Sequence, residues 1–337
     1  MIRVAMLSYW HVHAKDYTAQ ALAHPSIELA AVWDELPERG KAKAAELGVT
    51  FHQDLDELLQ DDTIAAVIVD APTTMHRDVM VKAANAKKHI FTEKVLAPTL
   101  REAREILDAA NSSGIKLTVS LRRLYEPYTA AIKAVIDHGV LGDLTMVRVR
   151  DAHDGASGGW LVDHFFNRSQ TAGGALIDLG CHPMYLVRYF LGLPDSVSTS
   201  FGHVTVREVE DNAVSVLNYK NGALGIAETG FVSPYSPFSI EIYGTTGSLF
   251  YGGVDNRILV KSIKDLSGLP SKGPAEWVEV PLAPPSPTAL QQWVNHIEED
   301  TLDPENLELG VDLTRLMEAS NLSAQKGQIV LLDSLAE

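Results

Sequence analysis

The feature that most constrains the fold is a repeated alternation of strand and helix patterns over the first 120 residues. The runs IRVAML and IAAVIVDAP are typical of buried strands, and the second is rich in the β-branched residues expected where both faces are covered. Helix-forming segments such as PERGKAKAAELG lie between successive runs of this kind. Strands separated by helices of about 10–15 residues predict βαβ units, right-handed crossovers and a parallel sheet. We therefore predict an α/β fold that begins with a doubly wound parallel sheet over residues 1–121.

The pattern changes after Arg122. LTMVRVRDAH and SIEIYGTTGSLFYG alternate as half-exposed strands do, and turn signals such as Asn221-Gly222 separate neighbouring strands. This alternation predicts a mostly antiparallel sheet. We assign residues 122–337 to a C-terminal α+β domain and residues 268–277 to a loop within it.

Composition narrows the range of functions. The chain has 28 Lys and Arg against 44 Asp and Glu, a net charge of −16, so it lacks the basic surface that non-specific nucleic-acid binding needs. The single cysteine, Cys181, excludes an intramolecular disulfide and a cysteine-built zinc site, and it fits a reducing compartment. No apolar stretch approaches the roughly 20 residues of a membrane helix. We expect a cytoplasmic protein with neither nucleic acid nor a membrane as partner.

An acidic residue stands where a doubly wound fold contacts a nucleotide. Ligands of such folds bind at the carboxyl ends of the strands, and Asp34 closes the second predicted strand, where an acid binds an adenosine ribose hydroxyl. Its alternative role is to cap the next helix. Glu35 and Glu38 follow, with Arg39 as the base nearby, so a 2′-phosphate would meet negative charge. NAD is therefore favoured over NADP.

The first predicted strand-to-helix turn, LSYWHVHA, lacks the glycines that usually hold a pyrophosphate. Ser8, Trp10 and His13 occupy the three glycine positions. Amides at the start of the helix and the Ser8 hydroxyl could still bind phosphate, with His11 as a further donor. Alternatively, the bulky side chains fill the space of the nucleotide. We expect a glycine-free Rossmann turn that still holds the pyrophosphate, with Trp10 or His11 facing the nucleotide or the substrate.

Two motifs carry candidate catalytic groups. Lys94 follows the strand pattern HIFTEKV, where its charge could favour an alkoxide that forms as hydride leaves. Asp178 and His182 are four residues apart, so on one helix they share a face, and the histidine could accept a hydroxyl proton. Pro183 should kink or start a helical segment there. A solvated Glu93-Lys94 pair and a buried structural Asp–His pair are the alternatives.

These motifs together resemble the Gfo/Idh/MocA family of oxidoreductases. The similarity runs from the βαβ start through APTTMH and KKHIFTEKV to AGGALIDLGCHPM and IEIYGTTGSL. It implies a Rossmann domain followed by a domain with a large open sheet, and such sheets usually pair face to face in homodimers or homotetramers. It also implies reversible oxidation of a sugar or polyol hydroxyl with NAD or NADP.

The resemblance also implies roles for individual residues. Lys94, Asp178 and His182 match the family's catalytic lysine, aspartate and histidine, Pro72, Thr74 and His76 match the loop beside the nicotinamide, and Arg123 matches an arginine that frames the active site. The full set of predicted cofactor contacts is Ser8, Trp10, His11, Val12, Asp34, Pro72, Thr74, His76, Glu93, Lys94 and Arg123. The sequence departs from the family pattern in the first turn, at Val95 in place of a proline whose bond is often cis, and at Tyr185 in place of an acid.

The polar and aromatic loop DAHDGASGGWLVDHFFNRSQ is the predicted specificity segment, because sugar rings stack on aromatic side chains and their hydroxyls need donors and acceptors. Its candidate substrate contacts are His153, Asp154, Trp160, Asp163 and Arg168, in addition to Lys94, Asp178 and His182.

Two other functions stay open at this point. A metal-dependent hydrolase or lyase could use His11 and His13 with His153, Asp154 and His182, although our leading interpretation assigns no metal ligand. A non-catalytic ligand-binding or regulatory protein could use the same scaffold.

Overall fold

The computed structural model describes residues 1–264 and 276–335, so most of the predicted loop at 268–277 lies outside the described residues. The described chain divides into two compact units. The first comprises residues 1–121 and 287–314, and the second comprises residues 122–264, 276–286 and 315–335. In the described part of the chain, no helix is both long enough and apolar enough to cross a membrane.

The first unit is built on a parallel sheet, with six strands among the described residues in the order β3-β2-β1-β4-β5-β6. The strands are β1 (Ile2–Leu7), β2 (Ile27–Trp33), β3 (Thr50–His52), β4 (Ala66–Val69), β5 (His89–Thr92) and β6 (Leu117–Val119). This order is that of a Rossmann sheet, and it reverses beside β1, where ligands of such sheets bind. The predicted doubly wound sheet is confirmed.

Helices connect these strands as the sequence pattern predicts. They are α1 (Ala14–Ala23), α2 (Pro37–Leu47), α3 (Leu55–Leu59), α4 (His76–Asn85) and α5 (Leu100–Ser113). The ends of α5 follow from its sequence, because Thr99 and Glu102 form a capping box and Gly114 ends the helix with a left-handed φ of 68°.

A segment near the end of the chain also belongs to the first unit. Helix α10 (Ala289–Glu298) packs Trp293 against Phe91 of β5, with ring centroids 5.8 Å apart. The side chain of Asn306 hydrogen-bonds both the N–H and the C=O of Val119, each at 2.9 Å. Residues 287–314 therefore differ from the predicted continuous second domain, because their apolar and polar partners lie on β5 and β6.

The second unit holds a mixed sheet, with nine strands within the described ranges in the order β14-β13-β12-β11-β7-β10-β9-β8-β15. The strands are β7 (Leu144–Ala152), β8 (Ser196–Gly202), β9 (Asn212–Asn218), β10 (Leu224–Gly230), β11 (Ser239–Gly244), β12 (Gly247–Gly252), β13 (Asp255–Ser262), β14 (Val278–Val280) and β15 (Val330–Leu331). Neighbours pair antiparallel except β7 and β10, which are parallel. The predicted mostly antiparallel sheet is confirmed.

Helices cover one face of this sheet. The helices of the unit are α6 (Pro127–Asp137), α7 (Arg168–Thr171), α8 (Ala175–Asp178), α9 (Cys181–Leu191) and the end of α11 (Pro304–Lys326). Helix α9 is almost entirely buried and packs on β7 and β10. Half-buried charged side chains pair across the strands, since Arg148 bonds Glu228 at 3.0 Å and Glu241 at 3.2 Å.

The packing of α10 gives a first prediction. Replacing Trp293 with Ala removes a fully buried indole and leaves a cavity against β5, which should lower the free energy of unfolding by about 3–5 kcal/mol. The matched control is Trp277→Ala, which removes an indole that is 46% exposed and should cost about 1 kcal/mol or less. Urea unfolding followed by far-UV circular dichroism measures both, and equal losses would contradict the assignment of α10 to the core of the first unit.

Candidate functional site

The turn after β1 adopts the conformation of a glycine turn without having a glycine. Ser8 is fully buried with a left-handed φ of 79°, a conformation that glycine adopts at the least cost. Its hydroxyl oxygen accepts hydrogen bonds from the Trp10 amide at 3.0 Å and from Arg39 at 3.3 Å. The serine therefore supports the turn through its own side chain.

The amides of this turn donate to acceptors within the chain. Tyr9 N–H donates to Asp34 Oδ2 at 2.9 Å, and His11 N–H donates to the Asp70 carbonyl at 3.2 Å. His13 N–H donates to His11 Nδ1, also at 3.2 Å. The rings of Trp10 and His11 are buried, and Val12 is exposed. That the turn holds a pyrophosphate stays a prediction, and in the present conformation these three amides do not point to one.

Asp34 lies at the end of β2 with its side chain buried. It accepts hydrogen bonds from Leu36 N–H at 2.8 Å and from Arg39 Nε and Nη2 at 2.8 and 2.7 Å. Arg39 also bonds Glu35, so its single positive charge faces two carboxylates. The bond to Leu36 closes a turn before α2, which has no side-chain cap, so Asp34 does not fill its alternative role as a helix cap. The Arg39 side chain stays 23% exposed at this position.

A group of polar side chains surrounds Glu93, immediately after β5. Glu93 Oε2 lies 3.1 Å from His13 Nδ1 and 3.9 Å from His11 Nδ1, and it accepts a short hydrogen bond from the Tyr17 hydroxyl. Glu93 Oε1 lies 3.9 Å from Lys94 Nζ. Burial alone would raise the pKa of Glu93, but the charges of His11, His13 and Lys94 outweigh it and hold that pKa well below its usual range.

Asp70 is a second buried carboxyl beside this group. It follows β4, is fully buried, and neither of its carboxyl oxygens has a hydrogen-bond partner in the described part of the chain. Burial, and then the negative charge of Glu93, raise the pKa of Asp70 well above its ordinary value. An unsatisfied buried carboxyl of this kind is rare enough to indicate a functional region.

His76 ties together the two loops that follow β4 and β5. Its Nδ1 lies 2.9 Å from the Val95 carbonyl and its Nε2 lies 3.1 Å from the Ala71 carbonyl, with the ring buried. Burial lowers the pKa of His76. Of the predicted loop residues, His76 and Pro72 are thus buried, whereas Thr74 is exposed. The Lys94–Val95 peptide bond is cis, and Lys94 itself is buried.

In the second unit, Asp178 and His182 lie on two consecutive helices. Asp178 ends α8 and His182 lies in the first turn of α9, so the expectation that they share a face of one helix is corrected. Pro183 is the third residue of α9 and lies in its first turn, where a backbone N–H has no partner within the helix. His182 is buried, with Nδ1 3.1 Å from the Tyr185 hydroxyl, which accepts a bond from Arg123 N–H at 2.8 Å.

Glycines position the segment that carries Asp178. Glu210 is buried and its carboxylate accepts from Gly174 N–H at 2.9 Å and from Leu176 N–H at 3.0 Å. Burial raises the pKa of Glu210. A Cβ on Gly174 would overlap the Glu210 carbonyl oxygen, whereas a Cβ on Gly173 would meet side-chain atoms, Ile177 Cγ2 at 3.1 Å and Asn321 Oδ1 at 3.8 Å.

The predicted substrate contacts divide into two groups. His153 stacks on Phe231, with ring centroids 5.0 Å apart, and lies beside Trp160, which is 58% exposed and donates from Nε1 to Asp154 at 2.9 Å. Burial lowers the pKa of His153. The structure therefore brings His153, Asp154 and Trp160 together.

Two further predicted substrate contacts, Asp163 and Arg168, and the predicted cofactor contact Arg123 have separate partners. Asp163 is exposed and pairs with Arg207 at 3.3 Å, and Arg168 starts α7 with its N–H bonded to Glu208. Arg123 donates to Asp151 at 2.9 Å and to the Tyr128 hydroxyl at 3.1 Å.

Sequence reasoning did not identify Asp70, Tyr17 or Glu210. Asp70 closes the apolar run IAAVIVDAP as Asp34 closes the run before it, so a signal was present. Tyr17 bonds Glu93, 76 residues away, and Glu210 bonds Gly174, 36 residues away. No local sequence pattern predicts either contact.

The strand order is that of a Rossmann fold, and residues 3–121 match the family described as "Oxidoreductase family, NAD-binding Rossmann fold", which assigns the chain to the NAD-binding oxidoreductases. Residues 129–250 match the GFO/IDH/MocA C-terminal domain. The chain belongs to the Gfo/Idh/MocA family, as predicted.

Named relatives agree with this assignment. The chain is 30% identical over 260 residues to scyllo-inositol 2-dehydrogenase (NAD(+)) of Bacillus subtilis. The aligned residues cover 75% of this chain and 72% of that protein. It is 27% identical over 240 residues to myo-inositol 2-dehydrogenase of Thermotoga maritima, with coverage of 69% and 70%.

A solved structure of levoglucosan dehydrogenase in complex with NADH and levoglucosan is similar in fold. It has a TM-score of 0.82 at 20% identity and covers 98% of this chain and 99% of that chain. GenD2 from gentamicin A biosynthesis, in complex with NAD, has a TM-score of 0.80 at 23% identity, with coverage of 98% and 96%.

The glycines before α8 give a second prediction. Gly174→Ala should lower the free energy of unfolding by about 2–3 kcal/mol, because the added methyl group overlaps the Glu210 backbone. Gly173→Ala is the matched control, and its methyl group meets side-chain atoms at 3.1 Å or more and no backbone, so the loss should stay below about 1 kcal/mol. Urea unfolding distinguishes them, and a larger loss in Gly173→Ala would refute this account of the segment.

Proposed function

We propose that the protein is an NAD-dependent dehydrogenase that removes hydride from a hydroxyl-bearing carbon of a sugar, polyol or related small hydroxy compound. The observation that carries the proposal is Lys94, buried at the carboxyl end of β5 beside Glu93 in a chain of this oxidoreductase family. The named relatives that act on inositols support this substrate class.

Two features of the first unit fit a dinucleotide. The strand order reverses beside β1, and the carboxyl end of β2 presents Arg39 with Asp34 and Glu35 around it. Two carboxylates around one guanidinium favour a ribose hydroxyl over a 2′-phosphate, which supports NAD. The proposed nucleotide contacts are Ser8, Trp10, His11, Val12, Asp34, Pro72, Thr74, His76, Glu93, Lys94 and Arg123.

The oxidation removes a hydride from the carbon and a proton from its hydroxyl, and a carbonyl group forms. NAD, when bound, supplies the acceptor for the hydride. We propose that His182 accepts the proton of the substrate hydroxyl. Lys94 stabilises the negative charge that develops on the alkoxide oxygen. Asp178 positions the substrate. For His182 to accept the proton at Nε2, its Nδ1–H must donate to the Tyr185 hydroxyl oxygen, the partner it has in the structure.

The contact group of His153, Asp154 and Trp160 supports a sugar-like substrate. An exposed indole beside a carboxylate offers an apolar ring face for stacking together with acceptors for hydroxyl groups. We include Asp163 and Arg168 among the proposed substrate contacts. The proposal also includes a domain boundary at 121/122 and a cytoplasmic location, which the single cysteine supports.

The catalytic assignment gives a third prediction. Lys94→Met should reduce NAD-dependent turnover of the best polyol or sugar in a screen at least 10³-fold, because the alkoxide loses its cation. Affinity for NADH should fall far less than turnover, because Lys94 is one of several proposed nucleotide contacts. Lys82→Met, an exposed lysine of α4 paired with Asp56, is the control and should keep full turnover. Unaltered turnover of Lys94→Met would reject the assignment.

The screen also separates the dehydrogenase from its non-catalytic alternative. A ligand-binding or regulatory protein would be stabilised by sugars or polyols while NAD reduction stays absent with every one of them. Reduction of NAD with any sugar or polyol of the screen would support the dehydrogenase and reject the non-catalytic alternative.

The open sheet of the second unit gives a fourth prediction. We infer that the face carrying Arg148, Glu228 and Glu241 pairs with the same face of another copy in a homodimer or homotetramer. Light scattering should give the mass of two or four chains. Arg148→Glu should lower the mass, because it places like charges together, while Arg101→Glu on α5 should not. A monomeric wild-type protein would contradict the inference.

A further inference from the structure

A group of metal-compatible donors in the first unit shares His11 and Glu93 with the proposed nucleotide contacts but has no assigned part in hydride or proton transfer. We propose that His11, His13 and Glu93 bind a divalent transition-metal ion of the zinc type. The three residues can each offer one ligand atom, and these atoms lie within 4.8 Å of one another. The site goes beyond the proposed dehydrogenase function and differs from the metal set predicted from sequence, which did not include Glu93.

The distances are close to those of a bound ion. Zinc lies about 2.0–2.2 Å from nitrogen and oxygen ligands, so tetrahedral donors are about 3.4 Å apart. Glu93 Oε2 lies 3.1 Å from His13 Nδ1 and 3.9 Å from His11 Nδ1. The two imidazole centroids are 4.5 Å apart. Donor atoms that lie within 4.8 Å of one another would have to move by up to about 1.4 Å to reach the tetrahedral spacing around one ion.

The ligands are held by partners outside the group. The Tyr17 hydroxyl bonds Glu93 Oε2 and lies 2.6 Å from Ser120 Oγ, which fixes the carboxylate. The backbone of His11 is fixed by its N–H bond to the Asp70 carbonyl. Outer partners that orient the ligands in this way are usual in metal sites.

The local charge also calls for a cation. Glu93 and Asp70 are two buried carboxyls whose charges act on each other, and Glu93 Oε1 and both Asp70 oxygens lack hydrogen-bond partners among the residues that the structure describes. A buried carboxylate is costly unless positive charge lies close by. Lys94 supplies one charge at 3.9 Å from Glu93. A divalent ion bound to Glu93 would add further positive charge there.

The donor types select the ion. Two imidazoles and one carboxylate suit zinc, cobalt or iron(II), whereas magnesium and calcium prefer all-oxygen sites. Three protein ligands leave at least one coordination position for water or another small ligand.

The test uses the full chain after treatment with a chelator. Calorimetric titration with Zn²⁺ should show one ion per chain, and Co²⁺ should give the visible absorption of a four- or five-coordinate site. His13→Ala and His11→Ala should each weaken Zn²⁺ binding at least tenfold. The control His138→Ala, which removes an exposed imidazole of the second unit, should leave binding unchanged.

A variant that keeps all three ligands distinguishes loss of metal binding from loss of folding. Tyr17→Phe removes only the outer hydrogen bond and should weaken binding about 10- to 100-fold while the far-UV circular dichroism stays that of the wild type. The absence of stoichiometric Zn²⁺ or Co²⁺ binding, or equal affinity in His13→Ala and wild type, would overturn the proposal. Because turnover is not measured, failure of the dehydrogenase assignment would not affect this result.

Discussion

The first unit depends on one buried carboxylate, Glu93. It joins the end of β5 to helix α1 through Tyr17 and to the first turn through His13, and it lies beside Lys94. A buried charge costs several kcal/mol unless compensating groups surround it. The neighbours that compensate the charge of Glu93 also hold its carboxylate in place. That carboxylate in turn lies beside Lys94, the proposed catalytic lysine.

The turn after β1 shows how a Rossmann domain can dispense with its glycines. Ser8 accepts the left-handed backbone conformation and satisfies the Trp10 amide with its own hydroxyl. Asp34 and the Asp70 carbonyl take two further amides. In a glycine turn such amides face the phosphates. Here the turn is stabilised from within by acceptors of its own chain.

The sequence allowed the sheet of the first unit, its connections and the family to be predicted, because strand and helix patterns are local and the motifs are distinctive. The break between α8 and α9 was indicated by Pro183. The placement of residues 287–314 was not predictable, since it rests on contacts such as Asn306 to Val119, which are 187 residues apart.

The site was predictable to a similar extent. Lys94, Asp34 and His182 were predicted from their position after strands or within motifs, and their roles stay predictions. The grouping of His13 with Glu93 joins residues 80 positions apart, and the unsatisfied state of Asp70 depends on what surrounds it in three dimensions. Local pattern shows where such side chains lie along the chain, but only packing shows which of them meet.

The most direct test of the central claim is calorimetric titration of the purified, nucleotide-free protein with NADH and then with NADPH. The account predicts micromolar affinity for NADH and weaker binding of NADPH, because Asp34 and Glu35 surround Arg39 with negative charge. Absence of binding by both nucleotides, or tighter binding of NADPH, would contradict it.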